Sequence, residues 1–124
     1  MEFNEIKSSE EAFIAGYGDG GFRMGESRFE GSMLITPNGF YPWAVTNKDA
    51  ITVESLSPIL EVAENVEILI IGMGEKMAFL DKTIRQKFGQ NDIAIEVMDT
   101  GAAARTYNVL LQEGRKVTAA LIAI

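Results

Sequence analysis

The chain has 124 residues, 47% of them hydrophobic, which is the length of one ordinary domain with enough apolar mass to build a core without disulfides. It contains neither Cys nor His, which excludes disulfides, thiolate or imidazole metal sites, a Cys nucleophile and the commonest general base. Eleven Lys and Arg stand against 18 Asp and Glu, a formal net charge of -7, and no basic stripe offsets it, so a nucleic-acid partner is not expected.

The N-terminal stretch MEFNEIKSSEE is acidic where a secretory signal is basic and then apolar, and no apolar run approaches the roughly 20 residues of a membrane-spanning helix. The expectation is a soluble cytoplasmic protein, or a mitochondrial matrix protein if the chain is the processed form of a eukaryotic precursor. One domain over residues 1–124 is expected, with residues 1–15 loosely ordered and tacked to the core by Phe3, Ile6, Phe13 and Ile14.

Gly16-Tyr17-Gly18-Asp19-Gly20-Gly21 formally fits the dinucleotide fingerprint, but Phe22-Arg23-Met24-Gly25 follows where a helix must start, so the segment reads as a glycine-rich turn. Residues 22–46 read as antiparallel β structure. Phe22 and Met24 alternate with polar neighbours, and Arg28 to Ile35 forms a second strand. Pro37-Asn38-Gly39 is a hairpin signal, because Asn-Gly accepts positive φ. Tyr41, Trp43 and Val45 then share one face at period two, and Pro42 between them marks an edge or a broken ladder.

After residue 50 the grammar changes. Thr52 is placed to cap a helix carrying Leu56, Ile59, Leu60 and Ala63, with Ser57-Pro58 as a second start. Glu67 to Ile71 is a continuous apolar strand of the kind covered on both faces, ended by Gly72-Met73-Gly74. Met77, Leu80, Ile84 and Phe88 form a helical stripe with Lys82, Arg85 and Lys87 outside, stopped by Gly89; Ile93 to Met98 is the next strand. Asp99 caps a helix that buries Ala103, Tyr107, Leu110 and Leu111 and turns Arg105, Asn108 and Gln112 to another face. Gly114 ends it, and Val117 to Ile124 is the final strand. Strand, helix, strand, helix, strand at these lengths predicts right-handed crossovers and parallel pairing. The expected fold is layered α/β, with a small parallel central sheet and helices in the C-terminal half and antiparallel β structure in the N-terminal half.

In an open parallel sheet, ligands gather beyond the carboxyl ends of the strands. The two loops expected there, Gly72-Met73-Gly74 and Met98-Asp99-Thr100-Gly101, each lead into a helix N-terminus, which favours an anion. The candidate ligand-binding residues are Gly72, Gly74, Asp99, Thr100, Arg105 and Asn108. The alternative reading is structural: Asp99 as an ordinary cap whose carboxylate already claims the free donors, the glycines as turn and packing devices, Arg105 and Asn108 as ties to neighbouring loops. No catalytic constellation and no calcium-loop spacing occurs, and no cofactor or metal is expected.

Val97-Met98-Asp99-Thr100 followed by Arg105-Thr106-Tyr107-Asn108 resembles a widespread domain-of-unknown-function family that includes the mitochondrial NADH dehydrogenase (complex I) assembly factor 3 and the adipogenesis-associated proteins of animals. Gly31-Ser32, Pro42-Trp43, Leu69 to Gly74 and the apolar C-terminal strand extend the resemblance over roughly residues 16–124. It implies a layered α/β domain and, from the mitochondrial relatives, assembly of a respiratory complex through protein contacts. Ala104 stands where many relatives have Cys and Met73 where a small hydroxyl residue is common, so a role for that thiol is not carried over.

Two functional readings stand. One is a non-enzymatic protein-binding or assembly-factor-like domain, linked to respiratory-complex or membrane-protein biogenesis, with the aromatics Tyr17, Phe22, Phe40, Tyr41 and Trp43 as interface candidates. The alternative for those aromatics is that Trp43 and its neighbours are core, which is the favoured reading residue by residue. The other functional reading is a small anionic-ligand binder or unrecognised enzyme using the strand-end cleft. A homo-oligomer is compatible with either.

Overall fold

A computed structural model describes residues 3–124; the expectation for Met1 and Glu2 lies outside the described residues. Among the described residues the nine strands are β1 (Asn4–Glu5), β2 (Ile14–Gly18), β3 (Gly21–Met24), β4 (Ser27–Glu30), β5 (Met33–Ile35), β6 (Gly39–Pro42), β7 (Ile68–Gly72), β8 (Ala94–Met98) and β9 (Val117–Leu121). The α-helices are α1 (Ser9–Ala12), α2 (Ser57–Leu60), α3 (Lys82–Gly89) and α4 (Thr100–Gln112).

Six strands form one mixed sheet in the order β1-β6-β5-β9-β7-β8, and β2-β3-β4 form a separate antiparallel sheet. β7 pairs parallel with both β8 and β9, as the strand-helix-strand rhythm requires, while β5 and β6 continue the same sheet antiparallel to β9. Period-two alternation sorts the strand side chains into two cores. Leu34, Leu69, Ile71 and Ala120 face one, which Ile59, Ile84 and Phe88 complete. Met33, Ile35, Ile70, Ala119 and Leu121 face the other, closed by Ala103, Ala104 and Tyr107 of α4 and by Phe22 of the small sheet. Ala119 and Ala120 carry so little bulk at the sheet centre that helix and sheet backbones approach closely on either side.

Several sequence expectations are corrected. Arg28 to Ile35 is two strands: Gly31, at φ 87, breaks the run, so β4 stays in the small sheet and β5 crosses into the large one. The Thr52-led helix is a chain of short turns, 3-10 over Glu54–Leu56, α2, then 3-10 over Ala63–Asn65. Thr52 and Ser55 still exchange reciprocal cap bonds, Ser55 N–H to Thr52 Oγ1 at 3.0 Å and Thr52 N–H to Ser55 Oγ at 2.9 Å. The stripe drawn from Met77 starts too early. Asp81 caps α3 by accepting the Thr83 N–H at 2.8 Å, and Met77 lies outside it. The Thr83 N–H, with the Thr83 hydroxyl beside it, holds the Asp81 carboxyl below the usual carboxylate range. The left-handed residue after α3 is Asp92, φ 59, not Gly89.

Phe22, Phe40 and Trp43 are core rather than interface, and the Trp43 indole N–H donates to the Ser55 carbonyl at 2.9 Å. Pro42 is not on an edge strand. β6 lies between β5 and β1, and Pro42 sits where β1 no longer reaches.

The turn Thr36-Pro37-Asn38-Gly39 forms the expected hairpin between β5 and β6, with Thr36 N–H donating to Gly39 O at 2.7 Å, yet neither Asn38 nor Gly39 has positive φ. Gly39 serves another purpose: a Cβ there would lie 2.3 Å from the Asn4 carbonyl oxygen and 2.6 Å from the Phe3 ring. Glycine is what lets β1 lie against β6. Gly39→Ala is therefore expected to cost about 1–3 kcal/mol and to unpair β1. Amide exchange at Ile6, whose N–H donates to Asn38 O at 3.0 Å, should accelerate while core amides of β7 and β9 hold.

Candidate functional site at the ends of the parallel strands

β7, β8 and β9 end together at Gly72, Met98 and Leu121, and the candidate residues of the two loops meet there. Asp99 leaves β8 in extended geometry and caps α4, its carboxylate accepting the Ala102 N–H at 2.9 Å. Thr100, the first residue of α4, is fully buried. Its hydroxyl donates to the Ile122 carbonyl at 2.7 Å and accepts the Gly74 N–H at 2.9 Å, while its own N–H donates to Gly74 O at 2.8 Å. Two backbone bonds flank it, Met73 N–H to Met98 O at 2.9 Å and Ile122 N–H to Gly72 O at 3.0 Å.

Gly72 is needed for this junction, because a Cβ would stand 2.9 Å from both Cα and Oγ1 of Thr100. The close approach that glycine permits is thus made by Thr100. Gly74, at φ 103, turns the chain so that its N–H and C=O both face Thr100.

Arg105 and Asn108 belong to a second arrangement, which ties α4 to the start of the small sheet. Asn108 accepts the Ile14 N–H at 2.9 Å and donates its own N–H to Ile14 O at 2.8 Å, standing in for a neighbouring strand. Tyr107, between them in sequence, donates its hydroxyl to Ala12 O at 2.9 Å, and burial pushes its phenol far up from the ordinary value. Arg105, exposed, donates to the Tyr17 hydroxyl, and the Tyr17 ring covers Gly101 so closely that a Cβ there would lie 3.1 Å from its oxygen. The structure therefore brings Gly72, Gly74, Asp99 and Thr100 into one closed junction and sets Arg105 and Asn108 on an adjoining clamp.

Every buried side-chain polar atom among the described residues has a hydrogen-bond partner, and those residues hold no cluster of three or more acidic side chains spaced for a metal ion. The donors at the first turn of α4 go largely to Asp99 and Gly74. Beside the junction lies a shallow recess of about 490 Å³ lined by Asn47, Lys48, Met73, Met77 and Ile122 among others. Its outer wall is the loop after Gly74, where Met77 is 53% and Phe79 90% exposed. The sequence reading missed this loop by drawing Met77 into a helix. The signal was the triplet Asp81-Lys82-Thr83, whose Asp is a helix cap and so places Met77 and Phe79 before the helix.

The matching family model is that described as "Protein of unknown function (DUF498/DUF598)", and it covers residues 14–122. The chain belongs to this family. Among curated relatives, NADH dehydrogenase [ubiquinone] 1 alpha subcomplex assembly factor 3 of Xenopus tropicalis is 35% identical over 118 residues, 95% of this chain and 64% of that protein. The human protein of the same name is 32% identical over 116 residues, 94% of this chain and 63% of that one. The chain thus spans a little under two thirds of these two relatives. Among solved structures, an outer membrane protein from Bartonella henselae superposes with a TM-score of 0.87 at 38% identity, over 93% of this chain and 97% of that one. The Rpa2829 protein of Rhodopseudomonas palustris does so with a TM-score of 0.84 at 32% identity, over 100% and 90%. A Bordetella pertussis protein described as a Mth938-like domain gives 0.80 at 28% identity, over 98% and 91%.

Within this DUF498/DUF598 domain, several of the segments on which the resemblance was read build the junction and the clamp. Met98-Asp99-Thr100 and Gly72-Met73-Gly74 supply the first; Arg105, Tyr107 and Asn108 supply the second. Ala104 is buried against the sheet, a packing position in this chain.

Thr100→Val keeps the shape and removes the hydroxyl. It orphans the Gly74 N–H and strips a donor from Ile122 C=O, at an expected cost of about 1–3 kcal/mol for each group left unpaired. Thr100→Ser, which retains the hydroxyl, should lose only about 1 kcal/mol for the methyl. Urea unfolding of the two variants makes the comparison.

Proposed function

We propose that this DUF498/DUF598 domain is a non-enzymatic, assembly-factor-like protein that contacts components of a respiratory NADH dehydrogenase through the loop between β7 and α3. The observation that carries this is Phe79, 90% exposed, beside Met77 at 53%. An aromatic ring and a thioether held in water on one short loop form an apolar contact point that a partner surface can desolvate, and aromatic and Met side chains are enriched where proteins meet. The relatives named as NADH dehydrogenase assembly factors support the choice of partner. The missing His and Cys and the closed strand-end junction support a binding role over catalysis.

Phe79→Asp combined with Met77→Ser leaves the core untouched, so stability should stay within about 0.5 kcal/mol of the parent. Tagged parent protein, cross-linked in cells of its source, is expected to bring down NADH dehydrogenase subunits, and the double variant to lose them. Subunit recovery that survives the double substitution overturns the assignment of the loop. A parent protein that captures no such subunit overturns the function.

The alternative anion-binding reading places its ligand at Gly72, Gly74, Asp99, Thr100, Arg105 and Asn108. Of these, Arg105 is the exposed cation, already bonded to Tyr17. On the reading adopted here, Arg105→Ala leaves the thermal-shift response to phosphate and citrate unchanged. A ligand at 100 times its Kd that added about 2.7 kcal/mol to the parent and nothing to this variant would restore the alternative.

A further inference from the structure

A second surface lies at the opposite edge of the large sheet from β8. The small sheet ends at β4, and among the described residues no strand pairs with its outer edge. Gly31 N–H donates to Gly20 O at 2.7 Å, which fixes the hydrogen-bonding phase of the β3–β4 ladder. With Gly21 opposite Glu30 and Phe22 opposite Phe29, Phe29 exchanges bonds with β3, and the N–H and C=O groups of Arg28 and Glu30 point away from it.

That free edge borders a groove between the two sheets, made of adjoining cavities of about 810 and 240 Å³ that share Asn4, Phe29 and Phe40. Phe29 and Phe40 form its apolar floor, packed edge to face with ring centroids 5.0 Å apart. Among the described residues, the larger cavity is lined by Glu5, Glu10, Glu11 and Glu26 against one cationic side chain, Lys7. Arg28 does not offset them. Its guanidinium is engaged by Glu30 at 2.7 Å and by the carbonyls of Gly18 and Asp19 at 3.0 and 2.7 Å.

We propose that this groove binds an extended, basic segment of a partner polypeptide as an added strand on β4. The unpaired edge supplies main-chain hydrogen bonds. The Phe29–Phe40 floor takes the apolar side chain of alternate residues, and the glutamates take the Lys or Arg that alternate with them. Charge selects the occupant. A second copy of this chain, itself at net charge -7, would set glutamate against glutamate, and an acidic peptide or nucleic acid would be repelled in the same way. This surface is separate from the Phe79 loop, so either assignment stands or falls without the other.

The test uses the full chain and a short synthetic peptide of alternating lysine and valine, with a glutamate–valine peptide as control, followed by amide NMR and hydrogen exchange. The lysine peptide is expected to shift and protect the Arg28 and Glu30 amides and to weaken as salt rises; the control should do neither. Glu10→Gln, Glu11→Gln and Glu26→Gln together should weaken binding about tenfold, in line with a fraction of a kcal/mol per exposed charge pair, and the thermal midpoint of this triple variant reports that the fold is kept. Equal binding of both peptides, undiminished binding by the triple variant, or shifts confined to the Met77–Phe79 loop overturn the proposal. So does a salt-stable dimer of the parent protein that buries β4.

Discussion

The Thr100 hydroxyl joins the ends of the parallel strands, and much of the fold is arranged so that it can. It sits at the start of α4, takes its donor from the loop after β7 and gives its proton to the chain leaving β9. Those segments come from three places in the sequence, so none of them closes the junction by local propensity alone. The requirement reaches back to Gly72, which must lack a Cβ, and to Gly74, which must take positive φ. It reaches forward to Asp99, whose cap sets the angle at which α4 departs. A buried hydroxyl with donor and acceptor both satisfied stabilises modestly as a bond but strongly as a constraint, since any other arrangement leaves backbone groups unpaired in a dry place.

α4 carries that constraint to the rest of the molecule. Its buried face packs Ala103, Ala104 and Tyr107 on β7 and β9, where the small side chain of Ala119 makes room. It then reaches the small sheet through Arg105 and Asn108, which bond to Tyr17 and Ile14, and the end of α1 through Tyr107, which bonds to Ala12. One helix thereby touches both sheets. The residues with the most chemical promise in the linear sequence are absorbed by this work.

How much of this was legible in the sequence follows from the range of each interaction. β7, β8, α4 and β9 were readable because their signals are local: an apolar run, a cap, a helical stripe, a glycine stop. The Asp99 cap is a contact three residues long and was found for that reason. The break at Gly31 was not. The run on either side has strand character, and only the need to pass from one sheet to the other splits it. Gly39 was assigned to the turn by its neighbours Pro37 and Asn38, whereas the close approach of Asn4, more than thirty residues upstream, is what demands it. The partners of Asn108 and Thr100 lie 94, 26 and 22 residues away, and no pattern of spacing marks a residue as bonding over such distances. Met77 was misplaced through periodicity: the spacing Met77, Leu80, Ile84 mimics a stripe whose first member stands before the cap.

That misplacement bears on function. A ligand-binding Rossmann-like sheet keeps its strand ends open, so that helix N-termini and glycine turns face an empty crevice. In this chain the same elements turn inward on one another, and what reaches solvent is a loop bearing Met77 and Phe79. At the β4 edge of the small sheet, the exposed features are a strand edge unpaired among the described residues and a cluster of glutamates over an aromatic floor. Both surfaces have what polypeptide recognition uses: apolar area to desolvate, a strand edge to extend, and one sign of charge to choose among partners. The interior polar groups of this domain bond largely to its own backbone, and its free backbone groups face outward at the edge of the small sheet.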